Sequence, residues 1–182
     1  MSAEQNAAVS RRLVEEGWNG PDLAVIREIV HPNAVYHDPA IPEGPRDLTG
    51  IRHFVGIYRS AFPDARLRIE DMVSQGDKVV WRWTARGTHR GWLLGLAPTG
   101  QAVTISGVTI DRYEDGQIVE AWGHWDTLGL LRQIGAAPGE GRIGSPAGGG
   151  RWGRRAGVFA QRLAARRLRR RSGLDSKPGG RS

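Results

Sequence analysis

Residues 66–90 read RLRIEDMVSQGDKVVWRWTARGTHR, and this stretch decides the fold class. In its first half Leu67, Ile69, Asp71 and Val73 alternate with Arg66, Arg68, Glu70 and Met72. Gly76-Asp77 is a turn signal. Beyond it Val79, Trp81, Trp83, Ala85, Gly87 and His89 alternate with Val80, Arg82, Thr84, Arg86, Thr88 and Arg90. A period of two belongs to a strand with one face on the core. The aromatic set is expected to face inward, ending in His89, and the polar set to face water.

Downstream, a Pro98-Thr99-Gly100 turn precedes AVTISGVTIDRY, and Asp115-Gly116 is a hairpin signal. The strand QIVEAWGHWD that follows is expected to put Ile118, Glu120, Trp122, His124 and Asp126 on one side. TLGLLRQIG then reads as a short closing helix ending at Gly135, a favoured residue beyond a helix C-terminus. Upstream the period is helical. Residues 3–18 form a first helix stopped by Gly20, and PDLAVIREIV a second, stopped by Pro32. AVYHDPAIPEGP is a short extended piece running into a proline-rich loop. A third helix, GIRHFVGIYRSAF, carries Ile51, Phe54, Val55 and Tyr58 as a stripe, with Thr49 as its cap. Three helices and a long twisted antiparallel sheet make an α+β domain over residues 1–138. A strongly curved sheet wrapped over helices leaves a cone, closed at one end, where a pocket belongs.

From Gly139 the composition changes. Residues 1–138 carry a net charge of −3 and residues 139–182 one of +10, so the overall +7 belongs to the tail. This Gly/Arg-rich segment has few branched apolar residues, and disorder is its expected state. Its RRLRRRS run suggests weak attachment to nucleic acid or an anionic surface, while the body gives no electrostatic reason to bind either. The chain has no cysteine, which removes disulfides, thiolate zinc sites and cysteine nucleophiles. No apolar stretch is long enough for a membrane span, and the N-terminus shows no secretory h-region. A cytoplasmic protein is the expectation.

No phosphate loop, nucleophile elbow or zinc-ligand cluster is visible, so chemistry falls to histidines and carboxylates on inward faces. Asp126 ends its strand on the side of Trp122 and His124. Walled by indoles, it would be desolvated, raised in pKa and suited to proton transfer. Equally, it would cap the helix TLGLL, and the two roles are compatible. His89 reads as a core histidine or a catalytic one, and His124, two residues from Asp126, as its neighbour on one ligand. His37-Asp38 before Pro39 reads as a turn or as a polar group at the pocket mouth. Arg112 and Glu120 are further charges near the sheet interior. Trp18, Tyr36, Trp81, Trp83 and Trp122 are core residues, several of which would line the cavity.

The stretch GTHRGWLLGLAPTGQAVTISGVTIDRYEDGQIVEAWGHWDTLGLLRQIGA closely resembles the second half of SnoaL-like polyketide cyclases, or ester cyclases, of the nuclear-transport-factor-2-like (NTF2-like) superfamily. A helix ending in Trp18-Asn19, then VYHDP, a proline-rich loop and the GIRHFV run agree with its first half. The resemblance spans residues 5–137. It implies a cone-shaped α+β barrel, a homodimer, and a small apolar ligand such as an aromatic polyketide ester. It further implies ring closure by intramolecular aldol condensation, with an acidic residue as general acid/base and no metal or cofactor. Carried over by position, the acid/base role falls on Asp126 in HWDTLGLL. His89 in GTHRG and His37-Asp38 in YHDP match recurring polar positions of the family pocket. His89, His124 and Arg112 stay open as the second catalytic group. Two other readings compete: a non-catalytic ligand-binding module, and an epoxide hydrolase of the same superfamily built on an Asp–Arg–Asp set. Against the latter, Asp111 and Arg112 are adjacent on a strand and point to opposite faces.

Overall fold

A computed structural model describes residues 2–39, 41, 44–93 and 95–137. The basic tail lies outside them. Helix α1 (Ala3–Arg12) is capped by Ser2 and Gln5, whose side chains each bind the other's backbone N–H, and it continues as a π-helical turn through Leu13–Trp18. A short α2 (Ile26–Ile29) leads into strand β1 (Val30–His37), followed by α3 (Asp47–Ala61). Strands β2 (Arg66–Gln75), β3 (Lys78–Thr88), β4 (Ala102–Glu114) and β5 (Gln117–Trp125) come next, and α4 (Thr127–Gln133) closes the domain. The sheet order is β1-β5-β4-β3-β2.

Each connection from β2 to β5 is antiparallel, but β1 pairs parallel with β5, so the sheet is mixed. The predicted second helix shrinks to four residues: residues 21–25 form turns and bends, and Val30 passes to the strand. Val30 is needed opposite Ile118 in the ladder, and Val25, Ile26, Ile29 and Val30 are all buried. Their β-branched side chains pack well in either state, so tertiary burial decides. Pro32 then falls in an edge strand, in the irregular stretch between Val30 and Val35, where its missing N–H costs nothing. The extended piece expected at AVYH is thus the second half of a full strand. Helix α3 starts two residues before Thr49, and the Asp47 carboxylate does the capping, accepting the Gly50 N–H at 2.8 Å.

Two bulges correct the expected strand faces. The β2–β3 register shifts between Ile69 and Asp71, leaving Glu70 as the extra residue. Beyond it Met72, not Val73, turns to the core, and Val73 is 69% exposed. In β5 the register passes from Tyr113↔Ile118 to Arg112↔Glu120, so Val119 is extra. Ala121, Gly123 and Trp125 therefore face in, while Glu120, Trp122 and His124 face out. The aromatic alternation of β3 holds: Val79, Trp81 and Trp83 are buried. So does the hairpin at Asp115-Gly116, where both residues have positive φ.

The curved, unclosed sheet wraps its concave face around α1 and α3. One apolar cluster joins Val14, Ile26, Ile29 and Val55 to Val79, Trp81, Trp83 and Tyr113. A second joins Ala61, Phe62, Leu93, Val103, Leu130 and Ile134 at the α4 end. Between them the packing leaves space. No helix among the described residues is long and apolar enough to cross a membrane.

Candidate functional site

A cavity of about 160 Å³ opens between α3 and the concave face. Its walls are apolar: Leu13, Ile51, Phe54, Leu67 and Ile105, with Trp18, Trp81, Trp83 and Trp125 supplying indole faces. Its volume compares with that of a dry cavity known to take a single benzene ring. Into this wall the fold sets few polar groups, and each has a local reason for its place.

Asp111 is the carboxyl on the cavity wall. Along β4, Val103, Ile105, Gly107, Thr109, Asp111 and Tyr113 share one face by strict alternation, and that face is the concave one. Asp111 is buried, and the Ser10 hydroxyl and the Trp81 indole N–H both donate to its Oδ2 at 2.8 Å. Burial pushes its pKa up to about 6, against these two hydrogen bonds, which favour the ionised form. Ser10 also meets the Tyr113 hydroxyl at 2.6 Å, so one buried chain ties α1 to the floor of the sheet. Beside Asp111, Thr109 accepts the Trp83 indole N–H at 3.1 Å.

At the other side of the cavity stand Tyr36 and Tyr58. Their rings flank Phe54, with centroids at 5.1 and 5.0 Å, and Tyr58 meets Trp125 edge-on at 5.8 Å. Asp38, buried at the end of β1, accepts the Trp125 indole N–H at 2.9 Å. Burial, then the Asp38 charge, push Tyr58 up to about 12, and the same two causes raise Tyr36. Tyr36 also senses Asp111, so its hydroxyl lies under the influence of both carboxyls. Opposite it, Gly123 of β5 leaves room that a side chain would fill: a Cβ there would sit 1.9 Å from the Tyr36 oxygen.

The sequence-predicted residues divide between the two faces of the sheet. Trp18, Tyr36 and Trp83 line the cavity, and Asp38 stands behind it. Asp126 does not enter it. Its carboxylate accepts the Gly129 N–H at 2.7 Å as the cap of α4 and is exposed to solvent. The bulge at Val119 is the cause, because it turns the expected inward residues that follow it, His124 included, to the outside while Ile118 stays in the core. His124 is exposed. His37, Trp122 and Arg112 are on the outer face too: His37 stacks on Trp122 at 5.5 Å and meets Glu120 at 2.9 Å. Arg112 reaches Glu120 at 3.2 Å, and His37 with Arg112 holds the Glu120 carboxyl below its usual range. With Arg112 on the outer face and Asp111 inside, Arg112 does not join Asp111 in the Asp–Arg–Asp set that an epoxide hydrolase would need. His89 faces in as the alternation requires, but it packs on Phe62 at 5.4 Å and meets Thr99 at 3.1 Å, off the cavity wall.

Sequence reasoning missed Asp111 as a wall residue, and with it Ser10, Tyr58 and Trp125. For Asp111 the signal was present, in the alternation of AVTISGVTIDRY. Tyr58 sat in the helical stripe and looked like plain core.

Comparisons with known proteins agree with this architecture. The family model for SnoaL-like polyketide cyclases matches residues 8–134. Aklanonic acid methyl ester cyclase AcmA of Streptomyces galilaeus is 28% identical over 140 residues, which cover 73% of this chain and 92% of that one. TsrD of Streptomyces laurentii superposes with a TM-score of 0.68 at 28% identity, covering 75% of this chain and 99% of that one. IdmH of Streptomyces antibioticus does so with a TM-score of 0.62 at 35% identity, covering 72% and 99%. An NTF2-like protein of Burkholderia pseudomallei K96243, 21% identical with a TM-score of 0.60, shares the fold over 74% of this chain and 98% of its own. The NTF2-like cone, the apolar cavity inside it and the span of the family match together place this chain in the SnoaL-like polyketide cyclase family.

Proposed function

We propose that this chain is a cyclase that closes a ring in a small, largely apolar polyketide ester by acid/base chemistry, with Asp111 as the proton-transferring group. The observation that carries the reading is the carboxyl of Asp111 on the wall of an apolar cavity, with its pKa raised to about 6. A carboxylate poised there near neutral pH is a competent base for an acidic α-proton. The ionised carboxylate takes the proton from carbon, and the electron pair of that C–H bond becomes the enolate. The enolate carbon then bonds to a second carbonyl of the same molecule. Its oxygen recovers the proton from Asp111, so the group ends as it began. Most of the acceleration comes from the cavity holding the two carbons together. Asp126, at the solvent-exposed cap of α4, is left with a structural role in this reading.

The volume suits one ring wholly enclosed, with the rest of a larger substrate reaching the open end. The test is a thermal-shift screen against aromatic polyketide methyl esters, including the aklanonic acid methyl ester for which AcmA is named. A ligand held by the native state alone raises the melting temperature as its concentration passes Kd, by about 2.7 kcal/mol of stabilisation at 100 times Kd. Such a rise, lost when a bulky side chain replaces Ala121 on the wall, supports the reading. No shift with any ester from a folded sample counts against it.

A homodimer is proposed to form through the outer face of the sheet. Val73, Val80, Ile110 and Trp122 are register partners in one row across β2, β3, β4 and β5, with Val73 and Val80 open to solvent. A row of this kind invites a second copy. Val73→Arg is expected to convert a sedimenting dimer to monomer. A wild-type monomer, or an unchanged dimer in the variant, would overturn this assignment.

A further inference from the structure

We infer that Tyr36 and Tyr58 form a paired hydrogen-bond donor site for a ligand carbonyl oxygen, so that the cavity selects enolisable aromatic ketones over hydrocarbons of the same shape. The inference rests on the cavity reading above and extends it to the chemical class of the substrate.

Three observations carry it. The first is that other polar tips of the aromatic wall are engaged: the Trp81 N–H by Asp111, the Trp83 N–H by Thr109, the Trp125 N–H by Asp38 and the Tyr113 hydroxyl by Ser10. By contrast, neither the Tyr36 nor the Tyr58 hydroxyl has a hydrogen-bond partner among the described residues. Nor are these two oxygens sealed. Among the described residues, the fully enclosed side-chain atoms without partners are Asn6 Oδ1, Arg52 Nε and His89 Nε2, so both phenols keep accessible surface. A partly buried O–H with no protein partner is a cost unless something else accepts from it.

The second is placement. Both rings line the cavity on either side of Phe54, and each is close enough to raise or feel the other's field. The third is charge. Asp38 and burial both oppose ionisation of the phenols, so each stays an O–H donor through the working pH range. The geometry also complements Asp111. When its carboxylate removes the α-proton, the electron pair moves through the new C–C double bond on to the carbonyl oxygen. Two preset donors then stabilise the charge that gathers there.

The test compares 2-tetralone with tetralin, which differ by one C=O in place of CH2, using the tryptophans of the wall as fluorescent reporters. In a plain apolar cavity the hydrocarbon wins, because the ketone must give up its hydrogen bonds to water. The donor pair reverses the order, and 2-tetralone is expected to bind about tenfold more tightly. Tyr36→Phe and Tyr58→Phe should each remove part of that preference, and the double variant all of it. The carbonyl stretch of bound 2-tetralone should fall to lower wavenumber in the wild type and return in the double variant, which a merely structural role would not produce. Equal or weaker binding of 2-tetralone by the wild type, or a preference that survives in the double variant, overturns the donor pair and leaves the apolar cavity standing. If neither probe binds, the cavity reading fails and the donor pair fails with it.

Discussion

Asp111→Asn is expected to remove proton-transfer activity and, at the same time, to make the protein more stable at neutral pH. The two effects have one origin. Burial raises the folded pKa to about 6 from an ordinary 3.8. Between those values the native state holds a proton that the unfolded chain has released. The stability this group contributes is therefore complete below about pH 4, declines as pH rises through about 6, and is absent at pH 7. Two pKa units correspond to about 3 kcal/mol, an upper figure for what a neutral side chain would recover. Asparagine keeps an oxygen to accept from Ser10 and Trp81 but carries no charge. Urea unfolding should show the variant ahead of wild type by about 1–3 kcal/mol at pH 7.5 and level with it near pH 3.5. Turnover should drop by about 10²–10⁴, the usual worth of a positioned base. Asp126 supplies the control. Asp126→Asn keeps a good cap and should change neither property, and Asp126→Ala should cost about 1 kcal/mol through the freed Gly129 N–H. If Asp111→Asn were less stable at pH 7.5 and fully active, Asp111 would be an anchor for α1 and nothing more.

Gly123→Ala should be the most damaging single-methyl change at the site. The new Cβ would lie 1.9 Å from the Tyr36 hydroxyl oxygen and 2.8 Å from its Cζ. Tyr36 has little room to retreat, because Phe54 packs against its ring at 5.1 Å. Overpacking of this kind costs about 1–3 kcal/mol. The hydroxyl is also driven from its place, so ketone binding should weaken together with stability. Removing the oxygen relieves the closest clash but leaves the ring carbon near. Tyr36→Phe in the Gly123→Ala background should therefore restore part of the lost stability, a coupling that a double-mutant cycle reads directly. Strictly additive losses would mean that the two groups do not meet as described.

Much of the fold was legible because its strongest signals are local. The alternation Val79, Trp81, Trp83 survives from sequence to structure since β3 is an interior strand with an unbroken register on β4. The hairpin at Asp115-Gly116 and the left-handed Gly135 after α4 are likewise written in short spans. What was not legible depends on one inserted residue or on distant pairing. Glu70 and Val119 each shift a strand's face by one, and no local pattern marks either as a bulge. Through Val119 alone, Glu120, Trp122, His124 and Asp126 moved from the expected cavity face to the outside. The parallel pairing of β1 with β5 joins residues more than eighty apart in sequence, and it takes Val30, the last residue of the predicted second helix, into the strand. Asp111 differs from these. Its inward position follows from the alternation of β4, in which Val103, Ile105, Thr109 and Tyr113 share its face.

The most direct test of the central claim is the pH dependence of ring closure on an aromatic polyketide methyl ester, measured for the wild type and for Asp111→Asn. Asp111 as the base predicts a wild-type kcat/KM that rises with pH through a single ionisation near 6 and levels off above it, and a variant with no measurable limb and little closure. Closure by Asp111→Asn at the wild-type rate, or a wild-type profile flat through pH 6, would contradict it.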